Sequence, residues 1–192
     1  MRTEIEKFIG KNLKHWKTQI QNPPYYVKVV EDGPYTMLHY SQIDSDFYNE
    51  VVKDCRSVVI KEYDTRQSES DYRIIAFPFR KFGNYGEGYA DTIDWSTARV
   101  EEKVDGSMIF MWSDAGIWHV STSGCICAQE AFLLNNSSGF KTFEDLFWYG
   151  IERVTTKEDF LQRLDRNKTY IFEVTSPYRS EERRVGKECR SR

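Results

Sequence analysis

The pattern of hydrophobic and polar residues begins with a helical period and then changes to a strand-like one. Apolar residues recur at steps of three and four between Thr3 and Gln21, which predicts an amphipathic helix. Thr3 and Glu6 have the spacing of a capping box at its start, and Pro23 and Pro24 end it. The chain then continues as short runs that are rich in β-branched and aromatic residues.

These runs predict a domain built mostly of β-strands. The predicted strands are Tyr25–Val30, Tyr35–Tyr40, Val51–Tyr63, Tyr72–Phe82, Val100–Asp105, Ser107–Ser113, Ile117–Ser121 and Lys168–Thr175. The turn sequences Glu31–Pro34 and Ser113–Gly116 predict hairpins. Two short helices are predicted at Thr142–Tyr149 and Lys157–Leu164. The second would begin with a capping box of Thr155 and Glu158. The pattern favours an α+β domain with antiparallel sheets and flanking helices.

Composition and charge narrow the class of protein. With 192 residues, 40% of them hydrophobic, the chain is expected to fold around a core. The formal net charge of -3 argues against coating nucleic acid by bulk charge, although it leaves room for a local basic groove. Neither a membrane-spanning run of about 18 apolar residues nor a signal peptide is recognisable. We therefore expect a cytoplasmic protein (in the host cytoplasm if it is phage-encoded) without membrane contacts.

The cysteines do not suggest a metal site. They are Cys55, Cys125, Cys127 and Cys189. No two of them have the usual spacing of zinc ligands with a second pair downstream, so reduced thiols are expected. No residue is predicted as a dedicated metal ligand.

The last fourteen residues, 179–192, depart from the pattern because they contain six basic and three acidic residues and almost no apolar ones. Such a segment is compatible with a solvated basic tail or an RNA-binding tail. A third interpretation is favoured, because the segment resembles the translation of a common sequencing-adapter oligonucleotide. We therefore expect a domain over 1–178 and a disordered tail without evolved function over 179–192.

The segment Lys103–Ser107 carries the strongest candidate chemistry. In an extended strand Lys103 and Asp105 point to one face, and Gly106 lets the backbone approach a ligand closely. A partly desolvated lysine near other cations can lose its proton near neutral pH and attack a phosphorus atom. A charged strand end followed by a glycine turn has the same short pattern, so the neighbouring motifs decide between the two.

Four further stretches accompany this motif. They are Asp54–Ser57 leading into Val58–Ile60, Phe77–Phe82 with Asn84 and Glu87, Thr122–Gly124, and Tyr170–Glu173 with Ser176–Tyr178. In their order and spacing, the chain from about Tyr25 to Tyr178 resembles the phage-type RNA ligase 1 family of covalent nucleotidyltransferases. That family includes relatives of the fungal tRNA ligase adenylylation domain, and its K-x-D-G lysine forms a lysyl-AMP.

The resemblance implies a nucleotidyltransferase domain, of the ATP-grasp-like ligase type, in which Lys103 is the nucleophile. Asp105 and Gly106 would shape the pocket of that lysine. The implied cofactors are ATP and Mg²⁺. The implied partners are RNA ends, with broken tRNA as one candidate, and no protein partner is predicted.

The resemblance also implies a set of nucleotide-binding residues. Arg56 would contact sugar or phosphate through its planar fork of donors, and Lys81 would place a positive charge at the ATP site. Glu173 would hold the ribose or help a metal ion, and Tyr40, a looser match, would line the same pocket. The neighbourhoods of Arg56 and Lys81 favour an RNA ligase over a DNA ligase or a capping enzyme.

The sequence departs from the family pattern in two places. Gly83 stands where family members often carry a second aromatic residue. After Tyr178 the glutamate-glycine strand and the K-x-K strand of the family do not follow. We therefore expect an incomplete, truncated domain with weak or no activity, and the alternative of a catalytically dead nucleotide- or RNA-binding fragment stays open.

Overall fold

The computed structural model describes residues 3–63, 71–133 and 139–175, which divide into two compact units. Unit 1 extends to Lys103 and unit 2 begins at Val104. The predicted tail 179–192 and the motif residues Ser176–Tyr178 lie outside the described residues.

Unit 1 is a four-stranded antiparallel sheet with helices packed on one face. Its elements are α1 (Glu4–Lys11), α2 (Trp16–Gln21), β1 (Val27–Asp32), β2 (Tyr35–Tyr40), α3 (Glu50–Asp54), β3 (Arg56–Tyr63) and β4 (Asp71–Ala76). The strands follow one another across the sheet in chain order. Ile5 and Ile20 of the helices and Leu38, Val58 and Ile60 of the strands are fully buried in one core. Burying a side chain of this size stabilises the fold by about 1.5–3 kcal/mol.

Unit 2 is a three-stranded antiparallel sheet covered by helices. Its elements are β5 (Ser107–Asp114), β6 (Ile117–Thr122), α4 (Phe143–Glu152), α5 (Lys157–Gln162) and β7 (Tyr170–Val174). The last strand returns to pair with β5, so the sheet order is β6-β5-β7. Ile109, Met111, Phe143 and Phe147 form the core. Among the described residues no helix is long and apolar enough to cross a membrane.

The predicted antiparallel α+β character is confirmed, and so is the capping box at the start of the chain. The Glu6 amide donates to the Thr3 hydroxyl at 3.3 Å, and the Thr3 amide donates to the Glu6 carboxylate at 2.7 Å. The single helix predicted over 3–21 is instead two helices. Asn12 ends the first, because its side-chain amide donates to the Phe8 carbonyl at 2.8 Å.

The strand predicted over Val51–Tyr63 is partly wrong, since its first residues form helix α3. The Asn49 side chain accepts a hydrogen bond from the Val51 amide at 3.0 Å and so caps a helical turn. Lys53 and Glu50, one turn apart, form an ion pair at 2.8 Å. These local contacts override the β propensity of Val51 and Val52.

Two other strand predictions and one cap also differ. The strand predicted over Tyr72–Phe82 ends at Ala76, just before Pro78, which has no amide hydrogen for the ladder. The strand predicted over Val100–Asp105 is wrong, because this segment is irregular and exposed and pairs with no strand of the described chain. Helix α5 is capped by Thr156 rather than by Thr155.

Candidate functional site

The predicted site residues fall into the two units, and each set is described within its own unit. Tyr40, Arg56, Lys81 and Lys103 belong to unit 1, whereas Asp105, Gly106 and Glu173 belong to unit 2.

In unit 1, the backbones of Tyr40, Arg56 and Lys81 lie next to the C-terminal end of α3. The Tyr40 amide donates to the carbonyl of Cys55 at 2.8 Å, and Arg56 is the next residue. The Lys81 amide donates to the carbonyl of Lys53 at 2.7 Å. The structure therefore brings together three residues that are up to 41 positions apart in the sequence.

A β-bulge sets the direction of Arg56. Leu38 pairs with Val58 and His39 pairs with Arg56, so Ser57 is an extra residue on β3. Ser57 has a φ of 66°, in the left-handed region, which costs a non-glycine residue about 1 kcal/mol. Because paired residues share a face, the bulge turns Arg56 away from the core face that holds Val58.

The Arg56 guanidinium lies against two aromatic rings. Its central carbon is 4.7 Å from the centre of the Phe82 ring and 5.5 Å from that of Phe79. Both rings are about half exposed. Among the described residues, no carboxylate forms an ion pair with Arg56. Its planar edge of donors is therefore available to an anionic ligand.

The Lys81 ammonium lies in an aromatic cage that the sequence reasoning missed in part. Its nitrogen is 4.9 Å from the ring centre of Phe47, 5.5 Å from Tyr89 and 6.0 Å from Tyr40. Each such contact is worth about 0.5–1 kcal/mol at an exposed site. Tyr40 was predicted here, whereas Phe47 and Tyr89 lie in loops without periodicity and carry no sequence signal of their own.

The charges around Lys81 favour an anionic ligand. Burial lowers the pKa of Lys81, an effect that Glu87 opposes and the nearby Arg56 cation reinforces. The Glu87 carboxylate is already engaged, because it accepts from the Asn84 amide at 2.6 Å. Its hydrogen bond with Tyr89 raises the pKa of that phenol to about 12. Lys81 thus has a second cation, Arg56, nearby, and the carboxylate of Glu87 that opposes its charge already has other partners.

Tyr40 is the buried wall of this cluster. Its ring is 4% exposed and packs edge-to-face on Phe47, with ring centres 5.1 Å apart. Burial raises the pKa of Tyr40, against the opposing charge of Arg56 and a hydrogen bond from Gln42. The phenol is therefore a neutral group at physiological pH, able to donate or accept a hydrogen bond.

Gly83 has a structural reason to lack a side chain. A Cβ atom at this position would lie 2.8 Å from the Ala90 Cβ and 2.9 Å from the Ala90 Cα. The loop folds back here, and the Ala90 amide donates to the carbonyl of Glu87 at 2.9 Å. The aromatic wall that the family pattern places after Phe82 cannot occupy this position.

Lys103 differs from its predicted environment. Its side chain is exposed, in the irregular segment before β5, rather than partly desolvated on a strand. Asp105 is exposed in the same segment. The prediction that both side chains share one face of a strand is therefore wrong, because the segment has no strand partner within the described residues.

In unit 2, Gly106 and Glu173 come together at one end of the β5–β7 pair. Ser107 pairs with Val174, and Met108 pairs with Glu173. A Cβ atom on Gly106 would lie 2.5 Å from the Glu173 Cγ and 2.8 Å from the Val174 carbonyl oxygen. Glycine is required here because any side chain would displace the glutamate or its strand. The Glu173 side chain is exposed.

Two curated proteins are similar to this chain. One is named RNA ligase, from Rhodothermus phage RM378, and is 26% identical over 148 residues, which are 64% of this chain and 32% of the relative. The other is named putative bifunctional polynucleotide kinase/RNA ligase, from Autographa californica nuclear polyhedrosis virus. It is 26% identical over 156 residues, which are 74% of this chain and 21% of the relative.

The chain thus spans about a third and about a fifth of the length of these two relatives. No protein-family model matches the chain, and no solved structure matches it. The two names support a relationship to RNA ligases at the level of the family.

Proposed function

We propose that this chain is part of an ATP-dependent RNA ligase that joins 5′-phosphate and 3′-hydroxyl RNA ends through a lysyl-AMP on Lys103. One observation carries the proposal most directly. Arg56 and Lys81, two cations beside aromatic rings, converge in a chain whose curated relatives are named RNA ligases. Cations and aromatic faces together suit the phosphates and the base of a nucleotide.

The proposed reaction consists of three displacements at phosphorus. The amine of Lys103 attacks the α-phosphorus of ATP; a P–N bond forms, the nitrogen loses a proton to solvent, and the bond to pyrophosphate breaks. A 5′-phosphate oxygen of RNA then attacks the same phosphorus, takes the AMP and releases the lysine. Finally a 3′-hydroxyl attacks the activated 5′-phosphate, loses its proton and expels AMP. Such steps depend mostly on positioning and on charge neutralisation.

The other predicted residues hold the nucleotide in this proposal. Arg56 and Lys81 contact its phosphates or sugar, and Tyr40 lines the pocket beside them. Glu173 contacts the ribose or helps to hold Mg²⁺, since its exposed carboxylate offers the oxygen ligands that this ion prefers. Bound Mg²⁺ would supply further neutralisation of phosphate charge. Asp105 and Gly106 shape the surroundings of Lys103.

The test is covalent labelling. The protein, expressed from its complete open reading frame, is incubated with α-labelled ATP and Mg²⁺, and the adduct is mapped by mass spectrometry. Label is expected on Lys103, absent from Lys103→Ala and unchanged in Lys28→Ala, which removes an exposed lysine from β1. Label on a different lysine, or label that survives Lys103→Ala, would exclude the assignment.

A second candidate function is nucleotide or RNA binding without catalysis, and the exposed position of Lys103 favours it. In that case ATP binds with the same dependence on Arg56 and Lys81, but no adduct forms. Labelling with GTP instead of ATP would indicate a capping-type enzyme. Sealing of nicked DNA but not of RNA would indicate a DNA ligase.

A further inference from the structure

Asp54, the last residue of α3, is a carboxylate buried to 2% exposure. One of its oxygens accepts from the Ile5 amide in the first turn of α1 at 3.1 Å, and the other accepts from the Arg80 Nε at 2.6 Å. A buried carboxylate is tolerated only when hydrogen bonds and an opposite charge replace its water. Asp54 therefore connects α1 to the segment that contains Arg80.

Arg80 completes the connection through a second carboxylate. Its Nη2 donates to the Glu50 carboxylate at 2.6 Å, so one planar guanidinium spans the first and last residues of α3. The next residue, Lys81, adds a backbone hydrogen bond to the carbonyl of Lys53 at 2.7 Å. Three bonds thus attach the Arg80–Lys81 segment to one short helix.

The two residues of this contact are close in sequence to the two candidate nucleotide-binding residues, Arg56 and Lys81. Asp54 is two residues before Arg56, and Arg80 is one residue before Lys81. We infer that Asp54 and Arg80 are positioning residues, which hold the Arg56 and Lys81 cations at a fixed separation for one nucleotide. This inference rests on the proposed function. Arg56 and Lys81 repel each other as like charges, so a fixed backbone separation has to be maintained by other bonds.

Arg80 is 48% exposed, so its removal leaves no cavity in the core, but it takes the opposite charge away from the buried Asp54 carboxylate. Arg80→Ala is expected to weaken equilibrium ATP binding by about tenfold or more, since small displacements of ligand-binding groups are costly. The ATP affinity of Arg80→Lys should fall between those of wild type and Arg80→Ala. An ammonium group keeps the charge but cannot reproduce the planar pair of hydrogen bonds that the guanidinium makes to two carboxylates. Arg73→Ala, which removes an exposed arginine of β4, is the matched control and should bind as wild type.

Two further measurements, the coupling between Asp54 and Arg80 and the stability of each variant, distinguish a positioning role from a purely structural one. Asp54→Asn keeps the shape of the side chain, and combining it with Arg80→Ala should weaken ATP binding by less than the product of the two single effects. Thermal unfolding of every variant is measured in parallel. If Arg80→Ala lowers only the unfolding temperature and binds ATP like wild type, the positioning role is overturned. If wild-type protein does not bind ATP, the proposed function fails first, and this inference fails with it.

Discussion

Two backbone positions determine where candidate site residues point. Ser57 adopts a left-handed conformation that turns Arg56 to the face opposite the core, and Gly106 admits Glu173 where a Cβ atom would collide with it. In both places, the direction of a candidate ligand-binding side chain depends on the backbone of a neighbouring residue whose own side chain has no proposed role in binding. Substitutions at such neighbours therefore test the geometry without removing a candidate ligand-binding side chain.

Gly106→Ala is expected to reduce the free energy of unfolding by about 1–3 kcal/mol, because the new methyl group overpacks against Glu173 and the Val174 carbonyl. Gly124→Ala is the control in the same unit, since a Cβ there would meet nothing within 4 Å. It should change stability by no more than about 0.5 kcal/mol. Equilibrium urea unfolding measures both, and equal effects of the two substitutions would contradict the close approach.

The lowered pKa of Lys81 predicts how the stability of the protein depends on pH. Burial lowers this pKa below its ordinary value of 10.5, so the unfolded chain binds the proton more tightly than the folded one. The stability of the wild type relative to Lys81→Met should therefore rise with pH from the lowered pKa to 10.5, and level off above it. Urea unfolding of both proteins across this range measures the effect. Lys28→Met is the control, and a difference for Lys81→Met that is independent of pH would contradict the burial of Lys81.

At the scale of elements, the helix ends show why sequence patterns place boundaries only approximately. Thr155 with Glu158 and Thr156 with Asp159 have the same capping spacing, so the pattern alone cannot choose between them. In the structure the Thr156 hydroxyl accepts from the Asp159 amide at 3.1 Å. The choice follows from where α5 packs, through Phe160, on the core of unit 2.

The capping assignment can be tested with a pair of adjacent threonines. Thr156→Ala should destabilise unit 2 by about 1 kcal/mol, because the Asp159 amide loses its acceptor. Thr155→Ala should have an effect of only a few tenths of a kcal/mol. The free energies of unfolding from urea titrations compare the two, and a larger effect of Thr155→Ala would place the cap where the sequence pattern first suggested.

At the scale of the whole molecule, the sequence predicts that residues 179–192 are dispensable. Val185 and Cys189 are the apolar side chains of this segment that could be buried, which is too little to offset the entropy of ordering it. A protein ending at Tyr178 should unfold at the same temperature as the 192-residue chain. Calorimetry of the two proteins measures this, and a clear loss of stability on deletion would assign the segment a structural role.

The sequence by itself determined the features that depend on neighbouring residues. The hairpins Val27–Tyr40 and Ser107–Thr122, the capping box at Thr3 and the antiparallel α+β class follow from periodicity and turn chemistry, which act over a few residues. The candidate residues were found through short motifs in a recognisable order. The proposed roles of Lys103 and Arg56 therefore came from the sequence.

Only the tertiary structure decided how candidate residues meet. Phe47 and Tyr89 surround Lys81, and Arg80 binds Asp54, although these partners are separated by 8 to 34 positions and lie partly in loops. Such contacts form because a buried carboxylate needs partners and a sheet brings distant segments to one edge. No local period encodes either requirement, which is why the cage and the Asp54–Arg80 contact appear only in the folded chain.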